Sequence, residues 1–206
     1  RARVEACRAA YLALAERLSA GRQRAADDLA RAVTALMADL ALASGRFEVG
    51  LLSGEPAAHG LEQVEFRIAG LAGSDARPLA RVASGGELSR ISLAIQVVTS
   101  QAASVPTLIF DEVDVGIGGG VAEVVGRLLR ELGRQRQVLC VTHLPQVAAR
   151  ANWQWQVSKN TEAGELRSRV AVLDVDARIE EIARMLGGIE ITPLTRQPAR
   201  EMLAID

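Results

Sequence analysis

Apolar residues recur at helical spacing through residues 1–44. Val4, Cys7, Tyr11, Leu14 and Leu18 step by 3, 4, 3 and 4, a short heptad seam. The stripe breaks near Gly21 and resumes at Leu29, Val33, Leu36 and Leu40, with no proline in the stretch. The spacing predicts helix. It suits an amphipathic core helix and the end of a coiled-coil arm equally well. The period then shortens. Val64, Phe66 and Ile68 alternate with charged positions, as in a half-buried strand. "GRFEVGLL" and "GLEQVEFRIAG" therefore predict an antiparallel hairpin, with "SGEPAAHG" as its loop.

From Ser84 the texture changes again. "SGGELSRISLAIQVVTSQAA" reads as helix, "VPTLIFDEVD" as a buried strand ending in acids, "GGGVAEVVGRLLREL" as helix and "RQVLCVTH" as a second buried strand. "LPQVAARA" follows as a short helix. Apolar strands alternating with helices predict a parallel α/β layer. "WQWQVSKN" and "LRSRVAVLDV" read as two more strands about a turn at Ala163-Gly164. The chain closes with helices over "DARIEEIARMLGG" and about 192–205.

Composition narrows the function classes. With 49% hydrophobic residues and 3% aromatics in 206 positions, the core is built from Leu, Val, Ile and Ala. The net charge of −1 supplies no overall field toward nucleic acid or membrane. Cys7 and Cys140 lie far apart with no CxxC, which disfavours a zinc site or disulfide framework and suits a reducing cytoplasm. No apolar run reaches membrane-spanning length. The chain opens in helical pattern without an initiator Met, so a fragment of a longer protein is expected.

Four short motifs carry candidate chemistry. Asp111 and Glu112 follow the apolar "LIF" at once, where the C-terminal edge of a parallel strand opens onto a ligand crevice. One carboxylate there suits Mg²⁺, and the other can orient or deprotonate a water. The bland alternative is a strand capped by solvated acids. Ser84-x-x-Glu87 is a capping box, and the same glycine-bearing helix start at Gly85 and Gly86 offers free N–H groups and the positive helix end to a phosphate. His143 ends the apolar "QVLCV" segment; it is either structural or within reach of a terminal phosphate. Asp114, Gly116 and Gly118–Gly120 form a loop that is either a flexible turn or a close-packing surface. His59 has no evident partner.

The order of these motifs is more specific than any one of them. It resembles the second half of an ABC-type ATPase: signature, Walker B, D-loop and H-loop. Within that superfamily "ASGGELSRISLAIQVV", "PTLIFDEVDVGIGGGVAEVVGRLL", "QVLCVTHLPQVAARA", "RIEEIARMLGG" and "AREML" resemble the SMC-like branch, and in it the RecN family of bacterial DNA double-strand-break repair ATPases. The likeness covers residues 47–206 closely.

The resemblance implies an α/β fold, the C-terminal lobe of an ATPase head over 45–206, with a mainly parallel sheet flanked by helices and an antiparallel hairpin. Residues 1–44 become the end of the coiled-coil arm. It further implies ATP and Mg²⁺ as ligands, sandwiched between two heads of a homodimer, and DNA, double-stranded ends above all, as partner. Ser84, Gly85, Gly86 and Glu87 would face ATP on the opposite head. Asp111 would hold Mg²⁺, through water. Glu112 would act on the attacking water and His143 on the γ-phosphate. Asp114 and Gly116 would lie in the D-loop at the head–head interface, with Arg90 a weaker contact candidate.

One element of such a site is missing from the sequence. The only lysine is Lys159, in "VSKN", so no GxxxxGK[ST] loop is present to cradle the phosphates. The chain alone is expected to be inactive and to need the N-terminal half of the same head. Two other readings stay open: an ATP-gated structural DNA clamp with little hydrolysis, or another SMC-like ATPase. A transporter nucleotide-binding domain fits poorly with the long leading helix and the "DVGIGG" loop.

Overall fold

The computed structural model describes residues 1–70, 75–81, 85–100, 105–162, 165–187 and 193–204. The chain divides into two compact units, Arg1–Ala102 and Ala103–Asp206.

The first unit is built on helix α1, Ala2–Asp39, about 57 Å long at 1.5 Å per residue. It runs unbroken through Gly21. A single glycine costs only about 1 kcal/mol in a helix interior, and the alanine-rich flanks absorb it. The helix stops short of residue 44: Leu40 caps it, and Ala41 takes a positive φ of 58°. Its buried positions are Ala15, Ala26, Val33 and Met37, whereas Val4 and Leu14 of the heptad seam are exposed.

Strands β1 (Arg46–Ala57) and β2 (Gly60–Ala69) pair antiparallel, with Val49 opposite Phe66 and Ser53 opposite Glu62. The expected loop over "SGEPAAHG" is mostly strand. The register slips between Ser53 and Ala57, an irregularity that accommodates Pro56, which cannot donate to a ladder. Gly60 has φ +109°, a left-handed backbone that favours glycine at this turn. A two-residue strand β3, Arg77–Pro78, joins β2 and leads into a 3₁₀ turn, Leu79–Arg81; neither was evident in the pattern. Helix α2, Gly85–Val98, completes the unit.

The hairpin is fastened to α1 by contacts distant in sequence. The Tyr11 hydroxyl lies 3.0 Å from the Ala57 carbonyl and 3.2 Å from that of Gly60. Arg22 donates to Glu62 at 3.0 Å and to the His59 carbonyl at 2.7 Å, and the Ser19 hydroxyl also bonds Glu62. These bonds, led by Ser19, hold the Glu62 carboxyl below the usual carboxylate range. At the other end Phe47 N–H donates to Thr34 Oγ1 at 3.0 Å, and Phe47 packs on Phe66.

In the second unit β4 (Thr107–Phe110) and β5 (Gln137–Cys140) run parallel, Phe110 beside Cys140. Between them in sequence lies helix α3, Gly119–Leu132, which buries Ala122, Val125, Gly126, Leu129 and Leu132 at helical spacing. The strands were expected to be buried. Phe110 is, but Ile109 is 72% and Val141 62% exposed. A parallel strand is apolar on both faces because both are normally covered; in this unit one face is left bare.

Helix α4, Pro145–Ala148, follows β5. Strands β6 (Trp155–Glu162) and β7 (Glu165–Val172) form an antiparallel hairpin; its turn at Ala163-Gly164 lies outside the described residues. Helices α5 (Val175–Gly187) and α6 (Pro193–Ala204) close the chain. Asp174 caps α5 by accepting the Ala177 N–H at 2.9 Å. Ala148, Ala149, Ile182, Ala183 and Ala199 form a small core with Met185 and Met202 against it. The parallel component of the α/β fold is thus the β4–β5 pair, and both hairpins are antiparallel.

Candidate functional site

The helix-start motif lies in the first unit. Ser84 lies outside the described residues, and with it the capping box. Gly85 and Gly86 open α2, Gly86 buried and Gly85 and Glu87 exposed. Glycine and an acid in the first turn suit the positive helix end. Arg90, one turn on, is only 6% exposed. Burial depresses its pKa, and the nearby Glu87 carboxylate partly counters that.

The remaining motifs meet in the second unit, at the C-terminal edge of the parallel pair. Asp111 follows the last residue of β4, and its Oδ1 accepts the Glu112 N–H at 2.9 Å. Glu112 holds a left-handed backbone with φ +57°, strained for any residue with a Cβ. The turn then tightens, with Val115 N–H donating to the Glu112 carbonyl at 3.3 Å. Asp111 and Glu112 are both exposed, so each carboxylate is open to a ligand or a water.

Asp114 points inward. Its residue is 2% exposed. Oδ2 accepts the Thr142 hydroxyl and, at 3.1 Å, the His143 N–H. The His143 ring presents Nδ1 to the same oxygen at 3.4 Å while its side chain stays 67% exposed. His143 does not end the strand itself: β5 stops at Cys140, and the Asp114-held turn carries the histidine three residues beyond. The part of this loop that can face outward is Val115–Gly120, where Gly116 and Gly119 take φ of +74° and +52°. Sequence offered one overlooked signal, Thr142. A hydroxyl next to the histidine both binds Asp114 and accepts the Leu144 N–H at 3.1 Å.

Cys140 sits beneath this edge, its thiol pushed up to about 12 by burial first and then by the charges of Asp114 and Asp111. Both cysteines are free. Among the described residues no three His, Cys, Asp or Glu side chains gather as a metal cluster. Asp111 still fits Mg²⁺ as a single ligand: one oxygen is engaged by a backbone N–H, the carboxylate is exposed, and Mg²⁺ at phosphate sites takes one or two carboxylates, with water and phosphate filling the rest. No helix among the described residues is long and apolar enough to cross a membrane.

No protein-family model matches the chain. Curated relatives do. It is 48% identical over 192 residues to the DNA repair protein RecN of Xylella fastidiosa strain Temecula1, covering 92% of this chain and 34% of that protein. It is 46% identical to RecN of Vibrio cholerae, covering 94% and 35%, and 44% identical to RecN of Deinococcus radiodurans, covering 98% and 35%. The chain therefore spans about a third of the length of these relatives. Among solved structures it resembles an Smc head domain with coiled coil and joint from Pyrococcus yayanosii, with TM-score 0.55 and 22% identity over 78% of this chain and 29% of that one. A Pyrococcus furiosus Smc head with extended coiled coil, bound to the C-terminal domain of ScpA, matches with TM-score 0.53 and 20% identity over 80% and 39%. At that identity the likeness is one of fold.

Proposed function

The chain belongs to the RecN family, and from that premise we propose that it is the C-terminal half of an SMC-like ATPase head acting in DNA double-strand-break repair and recombination. Residues 1–44 are the end of a coiled-coil arm and 45–206 the head half. The observation that carries the reading is the clustering of Asp111, Glu112 and the His143 turn at one edge of the β4–β5 pair.

Each residue's part follows from its chemistry. Bound Mg²⁺ supplies charge neutralisation at the phosphates, and Asp111 would hold it, through water. Glu112, exposed and fixed by its turn, orients or deprotonates the attacking water. His143 meets the terminal phosphate with the ring edge away from Asp114. Ser84, Gly85, Gly86 and Glu87 offer N–H groups and a helix N-terminus to ATP on a second head, and Gly116 lies in the loop that meets that head. ATP binding then closes a homodimer, and hydrolysis opens it. The P-loop comes from the N-terminal half of the same head, so this chain alone does not turn over ATP. DNA is the partner of the assembled protein, in the bacterial cytoplasm.

The test uses the full-length protein. Glu112→Gln is expected to abolish turnover while ATP-dependent head dimers accumulate. Turnover at a near-normal rate would remove Glu112 from its role.

A further inference from the structure

Asp114 is a buried carboxylate that holds the turn bearing His143. One oxygen, Oδ2, binds the Thr142 hydroxyl and the His143 N–H and faces His143 Nδ1. The same residue sits two positions after Glu112, in the turn that begins at the end of β4. It therefore ties the Glu112 loop to the His143 turn across the edges of two neighbouring parallel strands.

Bracing a turn does not require a charge. An asparagine oxygen could accept the same hydroxyl and N–H, and it would be far cheaper to bury than an ionised carboxylate. What the negative charge adds is its action on the imidazole. An anion beside Nδ1 favours a proton on Nδ1. That leaves Nε2, on the opposite ring edge, as an acceptor in the neutral ring and as a donor in the imidazolium. An approaching phosphate needs the donor.

We propose that Asp114 is a positioning residue that acts through His143, setting its ring orientation and proton placement and linking it to the Glu112 loop. This rests on the reading of His143 as the group that meets the terminal phosphate. It replaces a direct role for the Asp114 side chain between heads.

The experiment compares Asp114→Asn, Asp114→Ala, His143→Ala and the Asp114→Asn/His143→Ala double variant in the full-length protein. Asp114→Asn keeps an acceptor and removes the charge. It should keep its thermal midpoint within a few degrees and lose kcat by about tenfold, with KM for ATP changed by less than about twofold. In the His143→Ala background the same replacement should change kcat by less than about twofold. An equal loss with and without His143, or wild-type kcat in Asp114→Asn, would overturn the proposal. If His143→Ala alone turns over normally, the reading of His143 fails instead. Imidazole ¹⁵N shifts, with the His143 signals identified by their loss in His143→Ala, then decide about Asp114 independently of turnover. The wild type should carry its neutral-ring proton on Nδ1 and Asp114→Asn should redistribute it; an unchanged tautomer would reject the positioning role.

Discussion

Gly126 of α3 lies so close to α4 that a methyl group on it would sit 3.0 Å from the Gln146 carbonyl oxygen and 2.9 Å from Arg150 Cγ. The arginine can move, but the carbonyl belongs to backbone. Alanine would gain about 1 kcal/mol of helix propensity and lose about 1–3 kcal/mol to overpacking. Gly126→Ala is expected to be destabilising on balance, with a lower midpoint in denaturant at unchanged slope.

Glu112 combines a proposed catalytic carboxylate with a left-handed backbone. Glycine there would relieve roughly 1 kcal/mol of strain. Glu112→Gly should therefore raise the thermal midpoint slightly while turnover in the full-length protein disappears. A fall in stability would mean the conformation is not strained.

The hairpin tip is held to α1 through Tyr11, Ser19 and Arg22. Tyr11→Phe removes one hydroxyl from two carbonyls and should cost about 1 kcal/mol, with faster amide exchange in residues 57–62. Exchange unchanged there would place the anchor elsewhere.

Glu181 ties α5 to β6. Arg184 grips both its oxygens at 2.7 and 2.8 Å, and Gln156 donates at 2.6 Å. These partners, Arg184 foremost, hold its carboxyl below the ordinary 4.5 despite burial. A lowered folded-state value means the stabilisation is complete above the unfolded carboxylate value and drains as pH falls through the folded one. Glu181→Gln should lower stability at neutral pH and flatten the acid limb of a stability–pH curve. A parallel downward shift would show that the charge is not responsible.

Cys7 is exposed, whereas the Cys140 thiol is pushed up to about 12. Because the thiolate is the reactive form, a thiol reagent at neutral pH should label Cys7 first and the half-buried Cys140 far more slowly. Mass spectrometry of the labelled peptides checks this.

The helices and hairpins were legible because each is dictated over short distances. Val64, Phe66 and Ile68 alternate, and α3 repeats at helical spacing, so their periods identify them before any packing is known. Departures arose where distant neighbours intervened. The strand over 53–57 forms despite Pro56 because β2 supplies a partner and the register slips to spare the missing N–H.

The candidate site divides along the same line. Residue types and their order placed Asp111 and Glu112 after an apolar strand and His143 after the next, since spacing along the chain is enough to say which strand end carries which group. Orientation was another matter. Val113 and Asp114 are adjacent and both buried, so no alternation marks which way Asp114 turns. Its partners, Thr142 and His143, are 28 and 29 residues away. The bonds from Tyr11 to the hairpin span 46 and 49 residues. Periodicity and spacing express local geometry, so they settle which elements form and which chemical groups the chain carries. Which oxygen faces which nitrogen depends on strands pairing and helices packing between distant segments, and it exists only once those segments have met.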